Sequence, residues 1–274
     1  MLIIFLIAGL IVGSFLNVLV YRIHTAEELI FDRSKCPHCK KQIRWFDNIP
    51  VVSFVILKFR CRDCNEKISW QYPIVEIFTG VIFALIGWKF FVLIDTTSWF
   101  STAYYLFIAS SLITILVYDF LYLEIPSSVL WVSIFLAVVF GLYADWMIIS
   151  QGSTLGILKV EPLSMYIYPG VLSAVIAFVF FFSLSFFSKE KWMGMGDAYL
   201  VILLGLILGW PEILLALFLA FFLGAIYGII MLAMKKKKMK SQVPFAPFLV
   251  LGTLIALLFY SPIINWYFSL FISY

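Results

Sequence analysis

Hydrophobic positions along this chain fall in long blocks, and the polar positions fall between them. The blocks cover residues 1–20, 73–94, 100–118, 127–147, 164–187, 198–209, 211–234 and 244–268. A helix that crosses a bilayer needs about 20 mainly apolar residues. The pattern therefore predicts an all-α polytopic membrane protein with about eight transmembrane helices. The sixth block is short. Gly209-Trp210-Pro211 interrupts a continuous apolar stretch there and predicts a tight turn between two helices, with one long kinked helix as the alternative. The first block contains polar Asn17, no basic segment before it and no clear small-x-small site after it. It reads as a retained helix, not a removed signal.

Composition strengthens this picture. Of 274 residues, 64% are hydrophobic and 12% charged, against about 25% charged in soluble chains. Lys and Arg then set an orientation. All of the 19 basic residues except Lys89 and Lys159 lie in 22–72, 188–197 or 235–243. The positive-inside rule assigns these regions to the cytoplasm, which eight spans satisfy with both termini outside. Fusing 198–234 into one span would put the Lys235–Lys238 run opposite Lys189 and Lys191. That run reads as a topology anchor beside acidic lipid head groups. The net charge of +4 is small, and no nucleic-acid partner is expected. The expected organisation is a first transmembrane helix at 1–21, a cytoplasmic four-cysteine domain at 22–72 and a seven-helix membrane region at 73–274.

The four cysteines form two CxxC pairs, Cys36-Pro-His-Cys39 and Cys61-Arg-Asp-Cys64, with 21 residues between them. Each pair offers two thiolates from a tight turn, and two such knuckles complete a tetrahedral zinc site. A dithiol redox pair and an iron site are the alternatives. A reducing compartment favours metal over disulfides. His38 reads as a turn residue, not a ligand. Four thiolates leave no open position on the ion, so the expected zinc is structural and supplies folding energy to a short charged loop.

Acidic residues are rare in the membrane blocks. Asp119 ends the third block in LITILVYDFLYLEIPSSV, and Asp197 starts the sixth in WMGMGDAYLVILLG. The charge pattern assigns both to one membrane surface, where titratable groups are functional candidates. A carboxylate pair can hydrolyse an amide: one takes a proton from water, the other gives a proton to the carbonyl oxygen. Helix capping is the plain alternative for either residue. Asp95, Asp145, Glu161 and Glu212 read as ordinary rim groups. Glu124 and Glu190 fall on the inner side. Glu76, early in the second block, is expected to face the protein interior. Gly194 and Gly196 suit either a tight helix contact or the approach of a substrate backbone.

Several segments together resemble the type IV prepilin leader peptidase/N-methyltransferase family, whose members are GxGD-type membrane aspartic proteases. They are GLIVGSFLNVLVYR at 9–22, CPHC at 36–39, DNIPVVSF at 47–54, CRDC at 61–64 and ISWQYPIVEIFTG at 68–80. Asp119 with Pro126 seven residues on, Gly194-Met195-Gly196-Asp197, and VPFAPFLVLG at 243–252 complete the series. The resemblance covers nearly the whole chain. It implies removal of the leader from type IV prepilins or pseudopilins at the cytoplasmic face of the bacterial inner membrane, by Asp119 and Asp197. It also implies structural zinc on Cys36, Cys39, Cys61 and Cys64, and methylation of the new N-terminus from S-adenosylmethionine. Gly194, Gly196, Glu76 and Pro126 become supporting or substrate-positioning residues. The chain departs from the family pattern at Phe59, Tyr199, Ala246 and Ser127, where glycine, lysine, glycine and aspartate are usual. Phe59 bears on methyl transfer, so a peptidase-only enzyme is the first rival. A transporter would call for midplane charges or repeats, and a non-enzymatic scaffold would not need the aspartates.

Overall fold

The computed structural model describes residues 1–25, 34–152, 166–191, 193–234 and 244–272. The lysines at 235–238 and 240, together with Arg33, Lys159, Glu161 and Val243, lie outside the described residues. Among the described residues the regular elements are helices, with two isolated bridges in the cysteine loop. In chain order they are α1 (Leu2–Thr25), α2 (Val52–Ile56), α3 (Gln71–Phe90), α4 (Thr96–Tyr122), α5 (Ser127–Gly152), α6 (Ile167–Ser188), α7 (Met195–Leu208), α8 (Glu212–Ala233) and α9 (Ala246–Ile272). A single 3-10 turn covers Trp45–Asn48. Seven of the helices are long and apolar enough to cross a membrane, and the chain is a multi-pass membrane protein. The exception among the predicted blocks is α7, with 14 residues. Its length of about 21 Å falls short of a hydrocarbon core of about 30 Å. The chain divides into two compact units, Met1–Val117 and Tyr118–Tyr274, with the boundary inside α4.

In the first unit α1 packs along α3. Small residues let the backbones approach, as membrane helices require where lipid gives no hydrophobic drive. Asn17, buried within α1, donates to the Gly13 and Tyr72 carbonyls, each at 3.2 Å. A polar residue in an apolar helix thus finds partners inside the protein, and one of them ties α1 to the first turn of α3.

The second unit is built around α7, which contacts α5, α6, α8 and α9. Leu200, Val201, Leu203 and Leu204 are fully buried. Gly205 sits so close to α6 that a Cβ there would lie 2.4 Å from the Ala174 nitrogen. The outer helices show the converse pattern. Helix α8 buries Ile213, Ala216 and Ala220 but exposes Leu214, Phe218, Phe222 and Ile229. A helix apolar all round, with its smaller residues turned inward, is what lipid solvates. The break expected at Gly209-Trp210-Pro211 is present: α7 stops at Leu208, Gly209 takes φ +70°, and α8 begins at Glu212.

One acidic residue departs from expectation. Asp145 is not a rim group but a buried cap, accepting the backbone N–H groups of Tyr166 and Ile167 at the start of α6. Unpaired N–H groups at a helix N-terminus carry partial positive charge, which a carboxylate from another helix can satisfy. Local sequence gives no hint of this because cap and helix lie in different elements.

Candidate functional site

The two knuckles of the cysteine loop are built alike. Cys36 donates its N–H to Lys41 and accepts from Lys40; Cys61 donates to Glu66 and accepts from Asn65. Lys40 and Asn65, each following the second cysteine, both adopt left-handed backbone, with φ of 59° and 60°. Matching bridges, Lys35 to Gln42 and Arg60 to Lys67, close each hairpin. The four sulfurs lie within 4.8 Å of one another, with Cys36 and Cys64 3.9 Å apart. Zinc–sulfur bonds of about 2.3 Å in a tetrahedron put sulfurs about 3.8 Å apart, so the cluster is the size of a zinc site. The Cys64 backbone N–H, aimed at the Cys61 sulfur, pulls that thiol down to about 7 and favours the ligating thiolate.

Around the cluster, Arg62 grips Asp47 with two hydrogen bonds of 2.9 and 2.6 Å. The guanidinium holds the Asp47 carboxyl below its usual range. Glu76 is buried in the first turns of α3 and accepts the Val51 N–H at 2.7 Å and a bond from Ser14. Val51 has φ +62°, so Glu76 fixes a left-handed turn that starts α2. Between this loop and the helix pair α1–α3 lies a cavity of about 370 Å³. Asn17, Arg22, Asp47, Tyr72 and Glu76 line it. Phe59 does not. Its backbone keeps a glycine-like φ of +65°, while its ring stacks on Trp70 at 5.4 Å. Replacing the usual glycine therefore leaves both the turn and the cavity lining in place.

The second unit holds the two aspartates. Asp197 lies in the first turn of α7, three residues after its cap Gly194. The Gly194 N–H donates to the Asp197 carboxylate, and the Asp197 N–H returns a bond to the Gly194 carbonyl at 3.2 Å. This reciprocal pair resembles a capping box, so the capping alternative holds for Asp197. It does not end the matter, because the Asp119 charge also acts on Asp197.

Asp119 occupies the last turn of α4, where the helix dipole disfavours an anion. It is buried nonetheless, and its Oδ2 has no hydrogen-bond partner among the described residues. Compensation comes from the first N–H of α9, donated by Ala246. Rings of Phe221 and Phe181 hold Phe245, the residue before it, at 5.2 and 6.3 Å. A carboxylate at the unfavourable end of its own helix, with an unmatched oxygen, calls for a functional explanation.

The turn after α4 touches the start of α7. Leu123, at φ +58°, bonds back to the Asp119 carbonyl and ends α4. Pro126 then leads into α5, its carbonyl accepting the Leu130 N–H. Between them, Ile125 covers Gly196, where a Cβ would lie 3.2 Å from the Ile125 Cδ1. Gly196 thus serves a tight contact between this turn and the start of α7. Tyr199 points away to Trp131 and Phe178, with ring centroids at 6.0 and 6.1 Å. Glu76 belongs to the first unit, Asp119 and Asp197 to the second. Sequence reasoning missed Ala246 as a donor; the PFAPFL segment was the only signal.

The Bacterial Peptidase A24 N-terminal domain model matches residues 7–90, and the Type IV leader peptidase family model matches 106–229. A relative from Escherichia coli named "Type 4 prepilin-like proteins leader peptide-processing enzyme" is 32% identical, covering 90% of this chain and 89% of its own length. Relatives from Bacillus subtilis and Stutzerimonas stutzeri, each named "Prepilin leader peptidase/N-methyltransferase", are both 29% identical. The first alignment covers 97% of this chain and 98% of the relative, the second 92% and 89%. No solved structure matches. With both family models in chain order and relatives aligned nearly end to end, the chain belongs to the type IV leader peptidase family of aspartic proteases.

Proposed function

We propose that this chain removes the leader peptide from type IV prepilins or pseudopilins at the cytoplasmic face of the bacterial inner membrane, with Asp119 and Asp197 as the catalytic pair. The observation that carries this reading is the placement of two buried carboxylates in one unit, the Asp119 charge acting on Asp197 and the Asp119 Oδ2 without a hydrogen-bond partner among the described residues. In this mechanism the ionised carboxylate takes a proton from water, and the resulting hydroxide attacks the scissile carbonyl. The protonated partner gives its proton to the carbonyl oxygen. The tetrahedral intermediate then collapses with proton transfer to the leaving amine, so no covalent enzyme intermediate forms. The Gly194 and Ala246 N–H groups hold the pair in place. The apolar helix of a prepilin would lie among the membrane helices while its polar leader junction meets the aspartates. The orientation read from Lys and Arg supports this, with both termini outside.

Zinc on Cys36, Cys39, Cys61 and Cys64 would close the loop between α1 and α3 without taking part in hydrolysis. S-adenosylmethionine supplies an electrophilic methyl group when bound. The cavity in the first unit suits it: 370 Å³ falls in the range of small-molecule sites. Glu76 would supply an anionic partner for the donor's ammonium or sulfonium, and Arg22 a cationic partner for its carboxylate. Intact-mass measurement of a candidate prepilin after incubation, with and without the methyl donor, tests the whole reading. Loss of the leader supports proteolysis, and a further gain of one methyl supports transfer. An unprocessed cognate precursor would overturn both. Cleavage without added methyl would leave the peptidase-only enzyme.

The cavity assignment has its own check. Glu76→Gln is expected to weaken binding of S-adenosylhomocysteine, measured by equilibrium dialysis, about 10-fold or more. This corresponds to loss of a charge-assisted hydrogen bond. Unchanged affinity would move the donor site elsewhere.

A further inference from the structure

We propose that α2 and the Phe59–Trp70 pair rest on the membrane surface and engage anionic phospholipid head groups. Helix α2 buries Phe54 and turns Val52, Val55 and Ile56 outward, the last 68% exposed. Phe59 and Trp70 extend this apolar face, 43% and 62% exposed. Both rings pack on Phe54, with centroids at 4.8 and 5.1 Å, and on each other at 28°. Lys58 and Phe59 hold consecutive left-handed conformations, φ 49° and 65°. L-residues adopt this backbone reluctantly. Such strain persists where surrounding contacts fix it, and here it presents an aromatic ring at the surface.

The surrounding charge identifies the occupant. Lys58, Arg60 and Lys67 are exposed and make no ion pair with any described carboxylate, whereas Lys41 pairs with Asp63 and Arg62 with Asp47. Arg60 and Lys67 face each other across a bridge, which concentrates positive charge beside the rings. An apolar strip bordered by unmatched cations fits the boundary between anionic head groups and acyl chains.

Chain continuity sets the depth. Trp70 is the residue before α3, a 20-residue span. Such a helix is about 30 Å long, the thickness of the hydrocarbon core, so it leaves no slack. Trp70 therefore lies in the interfacial layer, where Trp, Lys and Arg anchor membrane proteins. Phe59 and α2 share that level because Phe59 and the α2 residue Phe54 both pack on Trp70.

The full-length zinc-loaded protein in nanodiscs tests this. Amide exchange at residues 52–60 is expected to be at least about fivefold slower with phosphatidylglycerol present than in phosphatidylcholine alone. K58E/R60E/K67E should abolish the difference while retaining zinc. A benzophenone side chain at position 59 should cross-link to phosphatidylglycerol. Equal exchange in the two lipids, or cross-links only to protein, would overturn the proposal.

Discussion

Asp197→Asn is expected to lower leader cleavage by at least about 10²–10⁴-fold, the range supplied by a positioned acid or base, while leaving the fold intact. Asparagine matches aspartate in size and keeps an oxygen that can accept the Gly194 N–H, so the start of α7 should survive. What it loses is the exchangeable proton. Asp119→Asn should behave in the same way. Neither variant should lose thermal stability, because each removes a buried ionisable group crowded by another. The double variant should be little worse than either single one, since residues that act as a unit are non-additive. Cleavage is read by mass on a cognate precursor, with thermal unfolding as the fold control. Full activity in either folded single variant would remove the aspartates from the mechanism.

Cys36→Ser is the second change with a large expected effect. Cys36 is the buried member of the sulfur cluster, and its backbone anchors the first knuckle. Zinc should fall from about one ion per chain to well below one, because a four-thiolate site rarely survives loss of a ligand. Structural zinc in small loops contributes about 10–16 kcal/mol of apparent binding free energy, far more than a short charged loop can otherwise supply. Residues 34–70 should therefore lose amide protection, and S-adenosylhomocysteine binding should disappear with the cavity they help to line. Leader cleavage should decline less than donor binding, because Asp119 and Asp197 both belong to the second unit. Unchanged zinc content would exclude this ligand set. Complete loss of cleavage with intact membrane helices would show that the loop also serves proteolysis.

At the departures from the family pattern the structure shows where each new side chain goes. At position 59 phenylalanine replaces glycine, which read as a threat to methyl transfer. The backbone there takes a left-handed turn, and the ring stacks on Trp70 outside the cavity lining. At position 246 alanine replaces glycine, yet the contribution there is a backbone N–H that any residue but proline carries. At position 199 tyrosine replaces lysine, and its ring packs on Trp131 and Phe178.

The membrane helices were legible because each depends on its own run of apolar residues. The cysteine cluster was legible because each knuckle is a tight local turn. The break after α7 was marked by glycine and proline in adjacent positions. Tertiary structure alone decided which polar groups meet. It turned Asp145 into the cap of α6, bound Glu76 to the Val51 turn, and gave Asp119 its donor at the start of α9. It also made α7, a helix of only 14 residues, the centre of the second unit. These outcomes depend on partners from distant segments, and their energies arise only when packing excludes water. No period or spacing in the chain encodes such a pairing directly.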